Sequence, residues 1–219
     1  MSEKIIAILA NGNRINHDLL KKILSNISII IAADGGAELC RYYSIKPDYI
    51  IGDLDSITKE TRKKFADTKI IFEPDQNFTD LQKALRFACT LKPDRIIILF
   101  AFGKRIDHSI CNMLIFQNYR ENIPLDIYDG FGKMELYFPG KYDLIGKAGE
   151  TISFFSLEPI YNLSLTGFKY SISNKIFKKY FIGISNIFEK EKCQIQFDKG
   201  KLISYRVFIK DDIPCHTAI

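Results

Sequence analysis

Short apolar runs alternate with amphipathic segments along the first 130 residues of the chain. Runs rich in Ile, Leu and aromatic residues predict strands, and most of the stretches between them have helical spacing. The predicted strands are Ile5–Leu9, Ile27–Ala33, Tyr49–Ile51, Lys69–Phe72, Arg95–Phe100 and Leu125–Tyr128. Such alternation is typical of an α/β domain with a mostly parallel sheet and helices on both faces. We expect this domain over residues 1–130.

The pattern changes after Asp129-Gly130-Phe131-Gly132. From there on, short runs are separated by turn residues and helix signals are few, which predicts a smaller all-β domain over residues 131–219. Its predicted strands are Met134–Phe138, Thr151–Leu157, Leu163–Tyr170, Gln194–Phe197 and Leu202–Ile209.

Polar residues follow each of the first five predicted strands. In strand order they are Asn11-Gly12, Asp34-Gly35-Gly36, Asp53 with Asp55, Asp75 to Asp80, and Gly103 to His108. In open parallel sheets, ligands bind beyond the carboxyl ends of the strands. We therefore expect these five segments to share one rim and to form the functional site.

Asp53 and Asp55 lie two residues apart, directly after an apolar strand. Crowded carboxylates repel each other, and a hard cation such as Mg²⁺, shared with the phosphates of a nucleotide, would offset that cost. An aspartate that caps its own turn is the simpler interpretation. The capping interpretation explains one aspartate, but two aspartates beside Gly52 and Ser56 are harder to explain in this way. The segment therefore favours phosphate chemistry.

Thr79, Asp80 and Gln82 fit the start of a helix. Thr79 and Gln82 have the spacing of a capping box, and Asp80 would lie in the first turn, where the helix dipole favours a negative charge. This local interpretation accounts for all three residues. The position of the motif after the fourth strand nevertheless predicts that Asp80 shares the rim with Asp53 and Asp55.

Two further strand-end segments suit phosphate binding. Lys104 and Arg105 would bring two cations to a helix N-terminus, and Asp107 fits the N-cap of that helix equally well. Asp34-Gly35-Gly36 fits a turn that needs positive φ, or a close approach of a nucleotide to the backbone. His108 is given no chemical role. Neither a Walker A loop nor a Gly-x-Gly-x-x-Gly fingerprint occurs.

Composition narrows the possible partners. The net charge of +5 is modest and its basic residues are scattered, which disfavours nucleic acid. The five cysteines include no Cys-x-x-Cys pair and indicate reduced thiols of a cytoplasmic protein. The apolar run from Ile5 to Ala10 is too short for a signal peptide or a membrane span, so we expect no membrane association.

Six of these segments, taken in order, resemble the thiamine pyrophosphokinase family. They are Ala33 to Ala37, Pro47 to Ile57, Thr79-Asp80-Leu81 with Lys83-Ala84-Leu85, Arg105 to His108 with Asn112, Thr166 to Tyr170, and Gly183-Ile184-Ser185-Asn186. The resemblance covers nearly the whole chain.

The resemblance implies an ATP-binding catalytic domain at residues 1–130. It also implies a β-sandwich at residues 131–219 that binds thiamine and forms a homodimer with active sites between subunits. The implied reaction moves a pyrophosphoryl group from ATP to the hydroxyethyl oxygen of thiamine, giving thiamine diphosphate and AMP with Mg²⁺ as cofactor. Attack at the β-phosphorus spreads charge over oxygens, so positioning and charge neutralisation are the main catalytic needs.

Site roles follow from the same resemblance. The implied metal ligands are Asp53, Asp55 and Asp80, and the implied catalytic residues are these three with Arg105 and Asp107. The implied ATP-binding residues are Asn11, Asp34, Gly35, Gly36, Gln76, Thr79, Lys104, Arg105, Asp107 and Asn112. Ser185 and Asn186 would meet the thiamine pyrimidine. Either Asp55 or Asp80 could accept the hydroxyl proton, and the residues do not choose between them.

The chain departs from the family at three points. Asn77 or Gln82 stands where an acidic residue is common, Lys104 stands where a second glycine is common, and no Trp is available to stack on thiamine. Three alternatives stay open. They are a pyrophosphokinase for another alcohol such as a hydroxymethyl pterin, a non-catalytic nucleotide-binding module, and a phosphatase with an aspartyl nucleophile. The last would usually carry its aspartates after the first strand, which here ends in Asn11-Gly12.

Overall fold

The computed structural model describes residues 3–208 of the chain. Two compact units are present, and the division between them falls between Gly130 and Phe131. Over the described residues, no helix is both long enough and apolar enough to span a membrane.

The first unit is an α/β domain, as predicted. Its elements are β1 (Ile5–Leu9), α1 (His17–Leu24), β2 (Ile29–Ala33), α2 (Gly36–Tyr42), β3 (Tyr49–Gly52), α3 (Lys59–Lys64), β4 (Lys69–Phe72), α4 (Asp80–Thr90), β5 (Arg95–Leu99), α5 (Ile106–Asn118) and β6 (Leu125–Tyr128). The six strands pair in parallel in the order β6-β5-β1-β2-β3-β4. All six carboxyl ends therefore lie along one edge of this sheet.

Burial explains why the central strands read as continuous apolar runs. In β1 and β5 the residues from the second position onward are buried, as expected where helices cover both faces of a parallel sheet. Helices α1, α3 and α4 begin at residues whose side chains cap them. Asn16 caps α1 by accepting from the N–H of Asp18 at 2.8 Å, and Thr79 and Gln82 form the predicted capping box of α4.

The second unit is an all-β sandwich, as the resemblance implied. Its strands are β7 (Gly132–Tyr137), β8 (Gly140–Ile145), β9 (Thr151–Ser156), β10 (Ile160–Thr166), β11 (Ile172–Phe177), β12 (Phe181–Ile187), β13 (Lys192–Phe197) and β14 (Leu202–Val207). They form antiparallel sheets with the orders β12-β9-β14-β7 and β11-β10-β13-β8. Buried residues from both sheets share one core, in which Phe154, Phe168 and Phe188 meet edge to face.

Several predicted strand limits were wrong. The run Leu163–Tyr170 is not one strand, because Gly167 turns the chain at φ +86° after β10 ends at Thr166. The sequence also missed β8, β11 and β12. Most of β11 is exposed, so it lacks the alternation of buried and exposed residues that would mark a strand. Ile209, at the end of the last predicted strand, lies outside the described residues, as does Cys215.

Candidate functional site

Three carboxylates meet at the carboxyl end of the parallel sheet. Asp34, Asp53 and Asp55 each offer an oxygen atom, and these atoms lie within 4.8 Å of one another. Asp34 follows β2, and Asp53 and Asp55 follow β3, which pairs directly with β2. Sequence reasoning placed Asp34 at the nucleotide, so its membership of this cluster is a finding of the structure.

Asp34 is the most buried member of the cluster, with 1% of its surface exposed. Its Oδ1 is buried and has no hydrogen-bond partner within residues 3–208. Burial raises the pKa of Asp34, and the nearby charges of Asp55 and Asp53 raise it further. A buried, unpaired carboxylate oxygen is costly. A hard cation would satisfy it, and oxygen ligands of this kind are those that Mg²⁺ prefers.

Leu54 fixes the shape of the turn from Asp53 to Ser56. Leu54 is 9% exposed and packs into the core of the unit, and it adopts a left-handed φ of +66°. Arg62 donates a hydrogen bond to the Leu54 carbonyl. Gln76 donates to Oδ2 of Asp53 at 2.8 Å, and this hydrogen bond is the main reason that the pKa of Asp53 is lowered.

Asp80 lies beside the cluster, at the first residue of α4. Burial raises its pKa, and so does the charge of Asp34. Gly52 makes this approach possible, since a Cβ there would lie 2.7 Å from Cβ of Asp34 and 3.1 Å from Oδ1 of Asp80. The buried Lys83 ammonium lies 3.4 Å from Oδ1 of Asp80. Asp80 is thus close enough to Asp34 and Asp53 for their charges to act on it, but the three oxygens that converge belong to Asp34, Asp53 and Asp55, and Lys83 is a counter-ion of Asp80 that the sequence did not predict.

A cavity of about 470 Å³ opens next to these carboxylates. Eight of the ten residues that the resemblance assigns to ATP line it, together with Asp80 and Ser56. The eight are Asn11, Asp34, Gly35, Thr79, Lys104, Arg105, Asp107 and Asn112. Gln76 and Gly36 do not line it. Gln76 is instead hydrogen-bonded to Asp53.

The two glycines after β2 serve close packing. The left-handed residue of this turn is Asp34, at φ +39°, whereas Gly35 has φ −56°, so the interpretation that the glycines supply a positive φ is wrong. A Cβ on Gly36 would lie 1.9 Å from the Leu9 carbonyl oxygen, and a Cβ on Gly35 would lie 2.3 Å from Nδ2 of Asn11. The turn therefore fits closely against β1 and its loop.

Cations line the cavity wall formed by the loop after β5. The Lys104 ammonium donates to Oδ1 of Asn11 at 2.8 Å. Arg105, not Asp107, is the N-cap of α5. Arg105 donates through Nε to Oδ1 of Asp107 at 3.1 Å, and this pairing lowers the pKa of Asp107 to about 2. Asn112 donates to the Ala101 carbonyl at 2.6 Å, which ties α5 to the same loop.

Sequence reasoning missed two kinds of residue at this rim. Cys111 lines the cavity and was not predicted there, although its position near the start of α5 was a signal. His108, which the sequence placed on this rim without a chemical role, lines the cavity too. Lys83 and Arg62 support the acidic segments without lining the cavity, since Lys83 pairs with Asp80 and Arg62 donates to the Leu54 carbonyl. The three-residue spacing of Asp80 and Lys83 on one helix was a usable signal, whereas Arg62 belongs to a basic run that gave no hint of its contact with Leu54.

In the second unit, Ser185 and Asn186 lie in β12. Asn186 is 4% exposed, and its side-chain amide donates to the Tyr170 carbonyl and accepts from the Tyr170 N–H, both at 2.9 Å. Ser185 is exposed and has a left-handed φ of +56°, at an irregularity in the pairing of β12 with β9. Asn186 therefore anchors backbone, and Ser185 is presented to solvent.

Comparison with known proteins gives consistent similarities. Residues 20–127 match the family model described as thiamin pyrophosphokinase, catalytic domain, and residues 141–202 match thiamin pyrophosphokinase, vitamin B1 binding domain. The thiamine pyrophosphokinase of Bacillus subtilis (strain 168) is 31% identical over 210 residues, covering 93% of this chain and 98% of that protein.

Solved structures agree with this similarity. A crystal structure of thiamine pyrophosphokinase from Bacillus subtilis has a TM-score of 0.82 at 30% identity and covers 93% of this chain and 99% of that one. Yeast thiamin pyrophosphokinase has a TM-score of 0.79 at 18% identity, covering 95% of this chain and 87% of its own, which supports the fold alone.

Proposed function

The chain belongs to the thiamine pyrophosphokinase family, and we propose that the rim of its parallel sheet is where pyrophosphoryl transfer takes place. The protein is a thiamine diphosphokinase, which moves a pyrophosphoryl group from ATP to thiamine. One observation carries the assignment to this rim. A cluster of three carboxylates, with one buried oxygen unpaired, adjoins a cavity lined by cations and helix N-termini.

The proposed reaction is a single displacement at the β-phosphorus of ATP. The hydroxyethyl oxygen of thiamine forms a bond to the β-phosphorus of ATP, the bond from that phosphorus to the α,β-bridging oxygen breaks, and AMP leaves. Negative charge on the phosphate oxygens is neutralised by Lys104 and Arg105, which line the cavity. Asp55 and Asp80 are the carboxylates to which the hydroxyl proton can pass.

Magnesium is the metal that this donor set fits. Asp34, Asp53 and Asp55 would hold it, because their oxygens converge and Oδ1 of Asp34 otherwise stays buried without a partner. Asp80 lies beside this group and is assigned with it to the metal and phosphate end of the site. When bound, Mg²⁺ supplies positive charge to the phosphate oxygens of ATP. Gln76, through Asp53, would hold the ligand set in place.

We propose that thiamine binds at the second unit, with Ser185 in contact with it. Ser185 is exposed on β12, whereas the Asn186 amide is engaged with Tyr170, so Asn186 is expected to shape the binding surface. No Trp occurs in the chain. Tyr170 is 57% exposed next to this anchor and is an aromatic group that the thiazolium cation could contact.

We propose a homodimer whose active sites lie between subunits. Two exposed apolar stripes support it. On α5, Ile106, Ile110 and Leu114 repeat every four residues and are 78%, 57% and 48% exposed, and on β12, Ile182 and Ile184 are 63% and 71% exposed. Large apolar side chains clustered at a surface are typical of interaction sites.

Subunit complementation tests the shared active site. Asp55→Asn and Ser185→Ala protomers would each be inactive alone, and mixing them should restore activity if one intact site forms from two subunits. No recovery after verified exchange of subunits would place each active site within one chain.

The four described cysteines, Cys40, Cys89, Cys111 and Cys193, are free thiols, which supports a reducing compartment and the proposed cytoplasmic location.

The acceptor alcohol is tested by product analysis. Purified protein is incubated with Mg-ATP and either thiamine, a hydroxymethyl pterin or no acceptor, and the products are identified by mass spectrometry. Thiamine diphosphate formed only with thiamine is expected. A pyrophosphorylated pterin in its place would identify another acceptor, and ATP binding without any product would indicate a non-catalytic nucleotide-binding module.

A further inference from the structure

Lys104 has a backbone conformation that its side chain does not favour. It lies in the loop after β5 with φ +54°, next to Gly103 at φ +99°, and Phe100 in the same loop has φ +58°. Left-handed backbone is easy for glycine and costly for a lysine, whose long side chain offers no local compensation. Such conformations persist when the surroundings fix them, and they concentrate at functional sites.

Asn13, in the loop after β1, is the residue that fixes this conformation from one side. Its Oδ1 accepts from the Lys104 N–H at 3.1 Å, and its own N–H donates to the Phe102 carbonyl at 2.7 Å. Its amide lies against Gly103 so closely that a Cβ there would be 2.0 Å from Cγ of Asn13. Asn13 thus contacts three consecutive residues of the loop.

Ser109, in the first turns of α5, holds the loop from the other side. The Gly103 N–H donates to Oγ of Ser109 at 3.0 Å, and that hydroxyl donates to the Arg105 carbonyl at 3.1 Å. The backbone from Phe102 to Arg105 is therefore fixed at both faces.

The consequence concerns the Lys104 ammonium. Lys104 and Asn11 both line the cavity, and the ammonium rests on the neutral amide oxygen of Asn11 at 2.8 Å. This hydrogen bond has a charged donor but a neutral acceptor, and exchanging the amide oxygen for a phosphate oxygen would pair two opposite charges and add their direct attraction. Asn13 does not line this cavity, so any effect it has on a nucleotide must pass through the loop.

We propose that Asn13 is a positioning residue for ATP. It holds Lys104 in left-handed backbone, and this directs the ammonium into the cavity, where it meets a phosphate oxygen of the nucleotide. The inference rests on the proposed function, because it takes the cavity to be the ATP site.

A double-mutant comparison separates positioning from general stability. Asn13→Ala leaves the ammonium in place but frees the backbone, whereas Lys104→Gly removes both the ammonium and the unfavourable conformation. If Asn13 acts through Lys104, the effect of Asn13→Ala on ATP affinity should disappear when residue 104 is already glycine. A purely structural Asn13 would instead have the same effect in both backgrounds.

The experiment measures binding of α,β-methylene-ATP, whose scissile bridge is blocked, by isothermal titration calorimetry with Mg²⁺. Wild type, Asn13→Ala, Lys104→Gly and the double variant are compared, with thermal unfolding of each. Asn16→Ala is the matched control, since Asn16 lies in the same segment and its side chain caps α1 by accepting from the N–H groups of Asp18 and Leu19.

We expect Asn13→Ala to weaken binding by about five- to tenfold, the range for loss of one organising hydrogen bond. Lys104→Gly should weaken binding at least as much while raising the melting temperature, and the double variant should match Lys104→Gly. Asn16→Ala should lower the melting temperature and leave the affinity unchanged.

Independent, additive losses from Asn13→Ala and Lys104→Gly would overturn the proposal, and so would unchanged affinity in Asn13→Ala. Wild type that binds the analogue yet makes no thiamine diphosphate from ATP would overturn the proposed function while the test of Asn13 still stands. Wild type that does not bind the analogue would overturn both.

Discussion

The Lys83 ammonium lies 3.4 Å from Oδ1 of Asp80, one turn away on the same helix, and its side chain is 3% exposed. A lysine so deeply buried is stable only when it is paired. Its charge also reaches Asp53, whose pKa it helps to lower. Lys83 therefore offsets part of the repulsion within the acidic rim from the interior of the unit.

Lys83→Met is expected to destabilise the protein by about 1–2 kcal/mol. The substitution removes a charged hydrogen bond and leaves the Asp80 carboxylate without its counter-ion. The expected loss of stability is small because the Asp80 side chain is 37% exposed, so solvent screens its charge. Urea unfolding measures this change. The double variant Asp80→Asn/Lys83→Met should be more stable than the sum of the two single losses predicts, and strict additivity would show that the pair does not interact.

Asp34→Asn should make the metal-free protein more stable at neutral pH, by about 1 kcal/mol or 2–4 °C in Tm for a chain of this size. The pKa of Asp34 is raised in the folded state. Its favourable contribution is therefore complete below the unfolded value near 3.8 and is lost as pH rises through the folded pKa. The advantage of the variant should grow from about pH 4 upward and then level off.

Magnesium provides the counterpart of that measurement. Wild type should gain thermal stability with added Mg²⁺, because the cation binds the folded state, and Asp34→Asn should gain much less. An Asp34→Asn protein that is less stable than wild type without metal at pH 7, or that responds fully to Mg²⁺, would show that Asp34 is not a strained metal ligand.

Arg62 and Lys63 form a matched pair on the same basic run. Arg62 donates to the carbonyl of the left-handed Leu54, between the two rim aspartates, whereas Lys63 is exposed. Arg62→Met should weaken Mn²⁺ binding, followed by electron paramagnetic resonance, by about tenfold, as expected for a residue that orients metal ligands. Lys63→Met should have no effect. Equal effects of both substitutions would indicate loss of general positive charge.

Asp55→Asn should reduce kcat by about 100-fold or more while changing the free energy of unfolding by less than about 0.5 kcal/mol. Asp55 is exposed on the rim. The substitution therefore removes a charge that organises the surroundings of the phosphates, but it disturbs few packing contacts. Asp67→Asn, at another exposed position, is the control. Normal turnover with easier unfolding would assign Asp55 a structural role.

Much of the α/β unit could be predicted because its strands are short apolar runs. The inner strands β1 and β5 are largely buried, whereas the edge strand β4 is mostly exposed but still carries the apolar run Ile70 to Phe72. Ile5–Leu9, Lys69–Phe72 and Leu125–Tyr128 have the same limits in sequence and structure. The strands β11 and β12 were missed because exposed positions interrupt their two-residue alternation. The burial of β8 does alternate, but Gly140 and Asp143 are residues that strands disfavour. In the sandwich, pairing with neighbouring strands decides which segments are extended, and that information is not local.

The site was predictable to the extent that topology determines it. Parallel pairing brings the strand ends together, so the meeting of Asp53, Asp55 and Asp80 followed from the fold. The place of Asp34 depends on its left-handed backbone and on the missing side chain of Gly52. Such contacts depend on three-dimensional packing, which a pattern of residue types does not contain.

The most direct test is ³¹P nuclear magnetic resonance of wild type and Asp55→Asn during turnover of Mg-ATP with thiamine. Wild type should convert ATP into equimolar AMP and thiamine diphosphate without ADP, and Asp55→Asn should do so far more slowly. ADP with thiamine monophosphate would place the attack at the γ-phosphorus. Thiamine-independent release of phosphate or pyrophosphate, or full activity of Asp55→Asn, would contradict pyrophosphoryl transfer at this acidic rim.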